Sequence, residues 1–204
     1  MLKCKLILLT LMTTLLLTSC KGVIMLTDSE ADIYAKIHKR YAAMDSYTAE
    51  VTMTVKSNKT ESSYRLRQQY LAPDKMSAEL TDAGIKTIID GDNAVVINGE
   101  NATVIPAAGD INYLFVNEFF RLYYLSQETA VSVTSGSTSG GVTRLETELI
   151  KPTAYRYRAI MTVSNQTLNP ESLIITDMSG ETVLRADFSS FIYNDKINGD
   201  HFIY

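Results

Sequence analysis

The sequence predicts a mainly β chain of the α+β class: a curled antiparallel half-barrel of about eleven strands, with an N-terminal helix and an apolar lid or plug helix. Three observations predict it. Beyond Tyr47, apolar and polar residues alternate at a period of two through most of the chain. Clusters of Gly, Asn, Asp and Pro interrupt those runs at short intervals. Helical spacing appears in two stretches, residues 29–44 and 110–125, and the strands between them follow one another through short loops. That order is a meander without strand–helix–strand units, which excludes a nucleotide-binding parallel sheet.

The chain opens on an address. Lys3 and Lys5 precede an apolar run over residues 6–17, and Ser19 precedes Cys20. Charge, apolar run and small residue follow the order of a secretory signal. The run is about twelve residues, short of the roughly 20 that span a bilayer. Leu17-Thr18-Ser19-Cys20 resembles the box that ends a bacterial lipoprotein signal. The resemblance implies cleavage between Ser19 and Cys20 and a diacylglyceryl group, with further acyl chains such as palmitate, on Cys20. The expected organisation is a removed signal over residues 1–19, a lipidated tether over 20–28 and a single domain over 29–204. Two acyl chains hold a protein where one is marginal.

Asp28-Ser29-Glu30-Ala31-Asp32 reads as a helix start, with a capping serine and acids in the first turn. Ile33, Ile37, Tyr41 and Met44 form one apolar stripe on that helix, and His38 lies beside it. At Tyr47 the period becomes two. Tyr47, Ala49, Val51, Met53 and Val55 face inward, and Thr48, Glu50, Thr52, Thr54 and Lys56 face out. Residues 63–71 return, with Tyr64, Leu66 and Tyr70 inward. Pro73 presets the next bend. Strands follow at 75–80, 85–90, 94–98 and 103–105, and Asn98-Gly99 is the strongest hairpin signal among their turns.

Residues 110–125 read as a second helix, apolar almost all round, which must be covered on most sides. One reading is a plug that fills the concave face as ordinary core. The other is a movable lid over an apolar cavity, with Leu114, Phe115, Phe119 and Leu122 as its lining. Further strands are expected at 131–134, 142–150, 155–163, 172–176 and 182–188, and a last one near 202–204 in the tail.

Charge and composition narrow the function. The full chain carries −4, and loss of residues 1–19 removes Lys3 and Lys5 and no acid, leaving the mature chain more negative by two. Nucleic acid is not an expected partner of that sign, and without a polybasic patch the lipid alone must anchor the chain to a membrane. Cys4 leaves with the signal and Cys20 is consumed by lipid, so neither a disulfide nor a thiol nucleophile is expected. The histidines, His38 and His201, number two, too few for a Cys/His zinc site or an obvious triad. Glu146 and Glu148 share a strand face, and paired carboxylates can run glycoside hydrolysis. A solvated face beside Arg144 is the plainer reading. No catalytic residue, metal or cofactor is expected, apart from the acyl chains on Cys20, and the chain reads as a binding or scaffold protein, not an enzyme.

Met44-Asp45-Ser46-Tyr47, running on through Thr48-Ala49-Glu50-Val51-Thr52-Met53-Thr54-Val55, resembles the opening of the LolA/LolB-type lipoprotein-carrier family. Tyr70-Leu71-Ala72-Pro73-Asp74-Lys75 is similar to that family's aromatic-x-x-Pro-Asp turn, and Asp90-Gly91-Asp92-Asn93-Ala94-Val95-Val96-Ile97-Asn98 to its Asp-Gly and apolar strand. The resemblance covers most of residues 30–190. It implies a half-open barrel with a helical lid, whose concave apolar face shelters acyl chains in true carriers. The lipoprotein box, the opening at Met44-Asp45-Ser46-Tyr47 and Tyr70-Leu71-Ala72-Pro73-Asp74-Lys75 together resemble the GerS-like clostridial spore-germination lipoproteins. That resemblance implies a non-enzymatic lipoprotein that binds and activates a zinc-dependent cortex N-acetylmuramoyl-L-alanine amidase of the CwlD type. Muramic-δ-lactam formation, and later cortex hydrolysis at germination, would follow. It also implies export and anchoring on the outer face of a membrane, in the space between forespore and mother cell. Two departures from soluble carriers, the anchor at Cys20 and the Phe- and Tyr-rich second helix, favour a scaffold over the alternative, a carrier or sensor of acyl chains. Exposed strand edges make a homodimer an additional expectation.

Overall fold

The structure, a computed structural model, describes residues 28–57, 60–90, 93–106, 115–126, 131–135 and 141–203. Helix α1 (Asp28–Ala42) leads into strands β1 (Ser46–Lys56), β2 (Glu61–Leu71), β3 (Lys75–Leu80), β4 (Ile85–Asp90), β5 (Asn93–Asn98) and β6 (Asn101–Pro106). A short helix α2 (Val116–Phe119) and a π-helical turn (Phe120–Leu125) follow. Strands β7 (Ser132–Ser135), β8 (Val142–Thr153), β9 (Arg156–Ser164), β10 (Pro170–Thr176) and β11 (Thr182–Tyr193) complete the sheet, and a 3-10 turn (Gly199–Phe202) lies in the tail.

All eleven strands join one antiparallel sheet in the order β6-β5-β4-β3-β2-β1-β11-β10-β9-β8-β7. The chain walks outward from central β1 to one edge, crosses to the other, and walks back to β11 beside β1. That single crossing carries α2 and the π turn over the concave side. Cross-strand partners share a face, so Tyr47 with Tyr70 and Tyr193, Val51 with Leu66 and Phe188, and Leu173 with Met161 and Ala186 build one inner surface. A bulge at Glu50/Val51 against Ser190/Phe188 sets an extra residue, Ser189, into β11 and adds local twist.

Helix α1 lies on this surface through its predicted stripe. Ile37, Tyr41 and Met44 are buried, and Ile33 packs at the margin. Its C-terminal end is fixed by polar contacts. The Arg40 guanidinium sits 4.1 Å from the centre of the Tyr193 ring, and Arg40 Nη2 donates to Asn169 Oδ1 at 2.6 Å. Gly99 takes a φ of +61 at the first position of the two-residue β5–β6 loop, where a side chain would be strained.

The structure corrects several expectations. The single α-helix expected over 110–125 is, from Phe115 on, one α turn followed by a π turn; residues 107–114 lie outside the described residues. Adjacent aromatic pairs, Phe119-Phe120 and Tyr123-Tyr124, all demand burial, and the wider i→i+5 turn brings both members of each pair to the core. The tail forms a 3-10 turn and not a strand, because the Asn198 side chain accepts the Asp200 N–H and closes the chain on itself. Phe202 is buried there, and the turn lies against β3 on the convex side, where Ile88 and Val95 are also fully buried. Thr48, of the outward row, is buried, whereas inward Tyr64 is 39% exposed because helical cover ends before it.

Candidate functional site

The concave floor is filled by aromatic rings. Phe120 stacks on Tyr41 with centroids 3.5 Å apart and meets Phe119 and Tyr124 edge-on, at 5.5 Å each. Tyr124 leans on Tyr34 at 4.6 Å and donates its hydroxyl proton to the Tyr34 carbonyl at 2.9 Å. Tyr41 donates to the Leu168 carbonyl at 2.9 Å. Each fully buried ring of this size contributes about 1.5–3 kcal/mol, so together they clamp α1, the crossing segment and the sheet.

A polar node sits within this apolar mass. Tyr47 Oη accepts the Val116 N–H at 3.2 Å and lies 3.3 Å from Asn117 Oδ1 and 3.5 Å from Gln68 Oε1. Asn117 Nδ2 donates to Glu118 Oε1 and to Met76 Sδ, both at 3.3 Å. Buried Glu118 is neutralised by a two-pronged contact from Arg121, at 3.0 and 2.7 Å. Burial pushes the hydroxyls of Tyr41, Tyr47 and Tyr124 far above the ordinary phenol range. The Glu118 hydrogen bonds hold the Arg121 guanidinium still more firmly charged. This node was not anticipated from the sequence. Its signal is the polar pair Asn117-Glu118 inside an otherwise apolar run.

Of the residues singled out in the sequence, Phe115 and Phe119 are buried at the centre of this packing and Leu122 is partly buried. Leu114, Ser19 and Cys20 lie outside the described residues. His38 lies beside Tyr34 and Tyr124, with centroids at 6.4 and 6.0 Å. His201 lies in the tail, where its carbonyl accepts the Lys86 ammonium. Glu146 accepts from Arg144 at 2.8 Å and from Arg158 at 2.7 Å, and Glu148 accepts the Tyr157 hydroxyl at 2.5 Å. Both carboxylates are therefore engaged by neighbours on the outer face. Among the described residues, no group of three or more His, Cys, Asp or Glu side chains converges as metal ligands would.

An open groove of about 850 Å³ lies at the far end of β1, away from the plug. Val55, Val183 and Leu184 give it apolar walls; Lys56, Arg156, Asp177 and Glu181 line it with both signs of charge. Tyr155, 77% exposed, stands at its mouth. The two hairpin tips around it are tied together by the Met178 N–H, which donates to the Ala154 carbonyl at 3.1 Å. The Ser179 hydroxyl donates to Asp177 at 2.7 Å, and with the Ser179 and Glu181 N–H groups, each at 2.9 Å, holds that carboxyl below its ordinary range.

The profile of the family described as sporulation protein YdcC-like matches residues 3–202. Among solved structures, an uncharacterized conserved protein from Thermus thermophilus aligns with a TM-score of 0.54 and 10% identity, over 86% of this chain and 93% of its own. A domain from Vibrio parahaemolyticus, described as an outer membrane lipoprotein-sorting protein, aligns with a TM-score of 0.50 and 10% identity, over 86% and 97%. A chain of the Clostridioides difficile CwlD amidase–GerS lipoprotein complex aligns with a TM-score of 0.41 and 23% identity, over 87% and 98%. At 10% identity the likeness to the Thermus and Vibrio structures is one of fold, and the fold is the mainly β, single antiparallel sheet with helical cover expected from the sequence. No curated protein matches the sequence.

Proposed function

The chain belongs to the YdcC-like family of sporulation proteins, and from that premise we propose that it is an exported, lipid-anchored, non-catalytic partner of a spore-cortex amidase. It binds a zinc-dependent N-acetylmuramoyl-L-alanine amidase of the CwlD type and licenses its activity, so that muramic-δ-lactam is made and the cortex can later be hydrolysed. The anchor is the acylated Cys20, and the place of action is the space between forespore and mother cell. Family membership supports the setting. The lipoprotein box Leu17–Cys20, the opening around Met44–Val55 and the turn Tyr70–Lys75 support the partner class.

The observation that carries the choice of binder over carrier is the packed interior. Tyr41, Phe119, Phe120 and Tyr124, all buried, occupy the concave face where a carrier holds acyl chains. With that part of the concave face filled among the described residues, the chain works through its surface. The test is co-purification of the full chain, in detergent, with the amidase, followed by lipid analysis of the chain. A stoichiometric complex with no bound lipid beyond the covalent anchor is expected. Loosely held acyl chains and no complex would reverse the choice and direct attention to the groove at Val55 and Leu184.

A further inference from the structure

Among the described residues, strand β6 is an edge of the sheet with no strand on its outer side. In the sheet order it pairs with β5 on one side and stands at the margin on the other. Natural edges are usually blunted by charge, by shortness or by a covering element. The opposite edge, β7, follows that rule: it has four residues and is packed by α1. Strand β6 does not. Its six residues, Asn101-Ala102-Thr103-Val104-Ile105-Pro106, carry no charge, and Val104 and Ile105 are 58% and 37% exposed.

Register gives the outward valence. Asn98 faces Asn101 across the two-residue loop, which makes that pair hydrogen-bonded, and the pattern then alternates. Thr103 and Ile105 spend their main-chain groups on β5, opposite Val96 and Ala94. The N–H and C=O groups of Ala102 and Val104 point away from the sheet. Their side chains lie on the convex face. There Val104 neighbours buried Val95, and Val95 neighbours buried Ile88. The tail reaches this face as well, since the His201 carbonyl accepts the Lys86 ammonium. Ile203, next to buried Phe202, is 68% exposed. A row of unpaired donors and acceptors flanked by uncharged apolar side chains fits one kind of occupant: another β-strand.

We propose that the β6 edge is the docking site for an extended, uncharged segment of a partner protein, which adds to the sheet beside Ala102 and Val104 and sets an apolar side chain against Val104. The proposal deepens the preceding reading, because the partner supplying the strand is the amidase.

The test uses the full chain in detergent and three variants. Ala102→Pro removes an outward donor and none that β5 uses, so the sheet tolerates it. Val104→Lys puts a charge on the edge. Ile192→Lys changes an equally exposed apolar residue on β11, away from the edge. Thermal unfolding checks that each variant folds. Ala102→Pro and Val104→Lys are expected to weaken amidase binding by about tenfold or more, the consequence of leaving strand hydrogen bonds unmade; Ile192→Lys is expected to bind as the wild type. Equal binding by all three overturns the edge proposal and leaves the partner reading standing. Absence of any complex with the wild-type chain overturns both. A wild-type dimer that Val104→Lys converts to monomer, with amidase binding intact, assigns the edge to a second copy and likewise overturns the proposal.

Discussion

Replacing Tyr47 by Phe isolates the polar node beneath the plug. The ring is fully buried, so the substitution keeps its packing against Phe191, 5.0 Å away, and removes one oxygen. That oxygen accepts the Val116 N–H at 3.2 Å and lies 3.3 Å from Asn117 Oδ1. Both contacts are long, so the bonds themselves are modest. The larger effect is the orphaned Val116 donor, since Val116 is fully buried and water cannot reach it. An unsatisfied buried group costs about 1–3 kcal/mol, and long bonds put the expectation near 2 kcal/mol. With a urea slope of roughly 2 kcal/mol/M, the unfolding midpoint should fall by about 1 M at unchanged slope. Tyr70→Phe is the matched comparison. Its hydroxyl reaches the Pro73 carbonyl at 3.3 Å from a partly buried position, so the midpoint should move by less than half as much. Faster amide exchange at Val116 should accompany the Tyr47 change alone. A Tyr47→Phe midpoint within about 0.2 M of wild type would refute the role given to the node.

Other expectations follow from the same packing. Tyr41, Tyr47 and Tyr124 have hydroxyls raised by burial in the folded state. The unfolded chain therefore releases those protons first, and the associated stability is complete below about pH 10 and declines as pH rises above it. Alkaline titration should show tyrosinate absorbance appearing together with unfolding; ionisation of these tyrosines in an intact fold would contradict their placement. Glu146→Ala removes a carboxylate whose partners, Arg144 and Arg158, are half-exposed, so stability should change by no more than about 1 kcal/mol. Amidase activation should be untouched by it; loss of activation would make Glu146 a functional group again. If the proposed anchor holds, Cys20→Ala shifts the chain from the membrane to the soluble fraction, and continued membrane association would contradict that anchor.

The sheet was legible because its signals are local. Alternation from Tyr47 to Val55, the Pro73 bend and the Asn98-Gly99 hairpin each act within a few residues, and the strands they delimit are found almost where expected. The stripe of α1 was legible for the same reason. What escaped depends on contacts distant in sequence. The crossing segment takes a π turn because Phe119, Phe120, Tyr123 and Tyr124 must all reach a core supplied by α1 and β1, which no period within residues 110–125 encodes. The tail's placement on the convex face follows from contacts with β3 and from the Lys86 ammonium on the His201 carbonyl, more than a hundred residues earlier. The polar node joins Tyr47, Gln68 and Asn117 from three elements, and inward-facing Tyr64 is exposed because helical cover stops before it, a limit that nothing in β2 itself reports.

The most direct measurement is the zinc content and muropeptide output of the purified amidase, alone and with the full chain added. Binding that licenses catalysis predicts an amidase that is inactive by itself and acquires both stably held zinc and muramic-δ-lactam-directed cleavage in the mixture, with no cleavage by the chain alone. An amidase fully active and metal-loaded without the chain would contradict the proposed function.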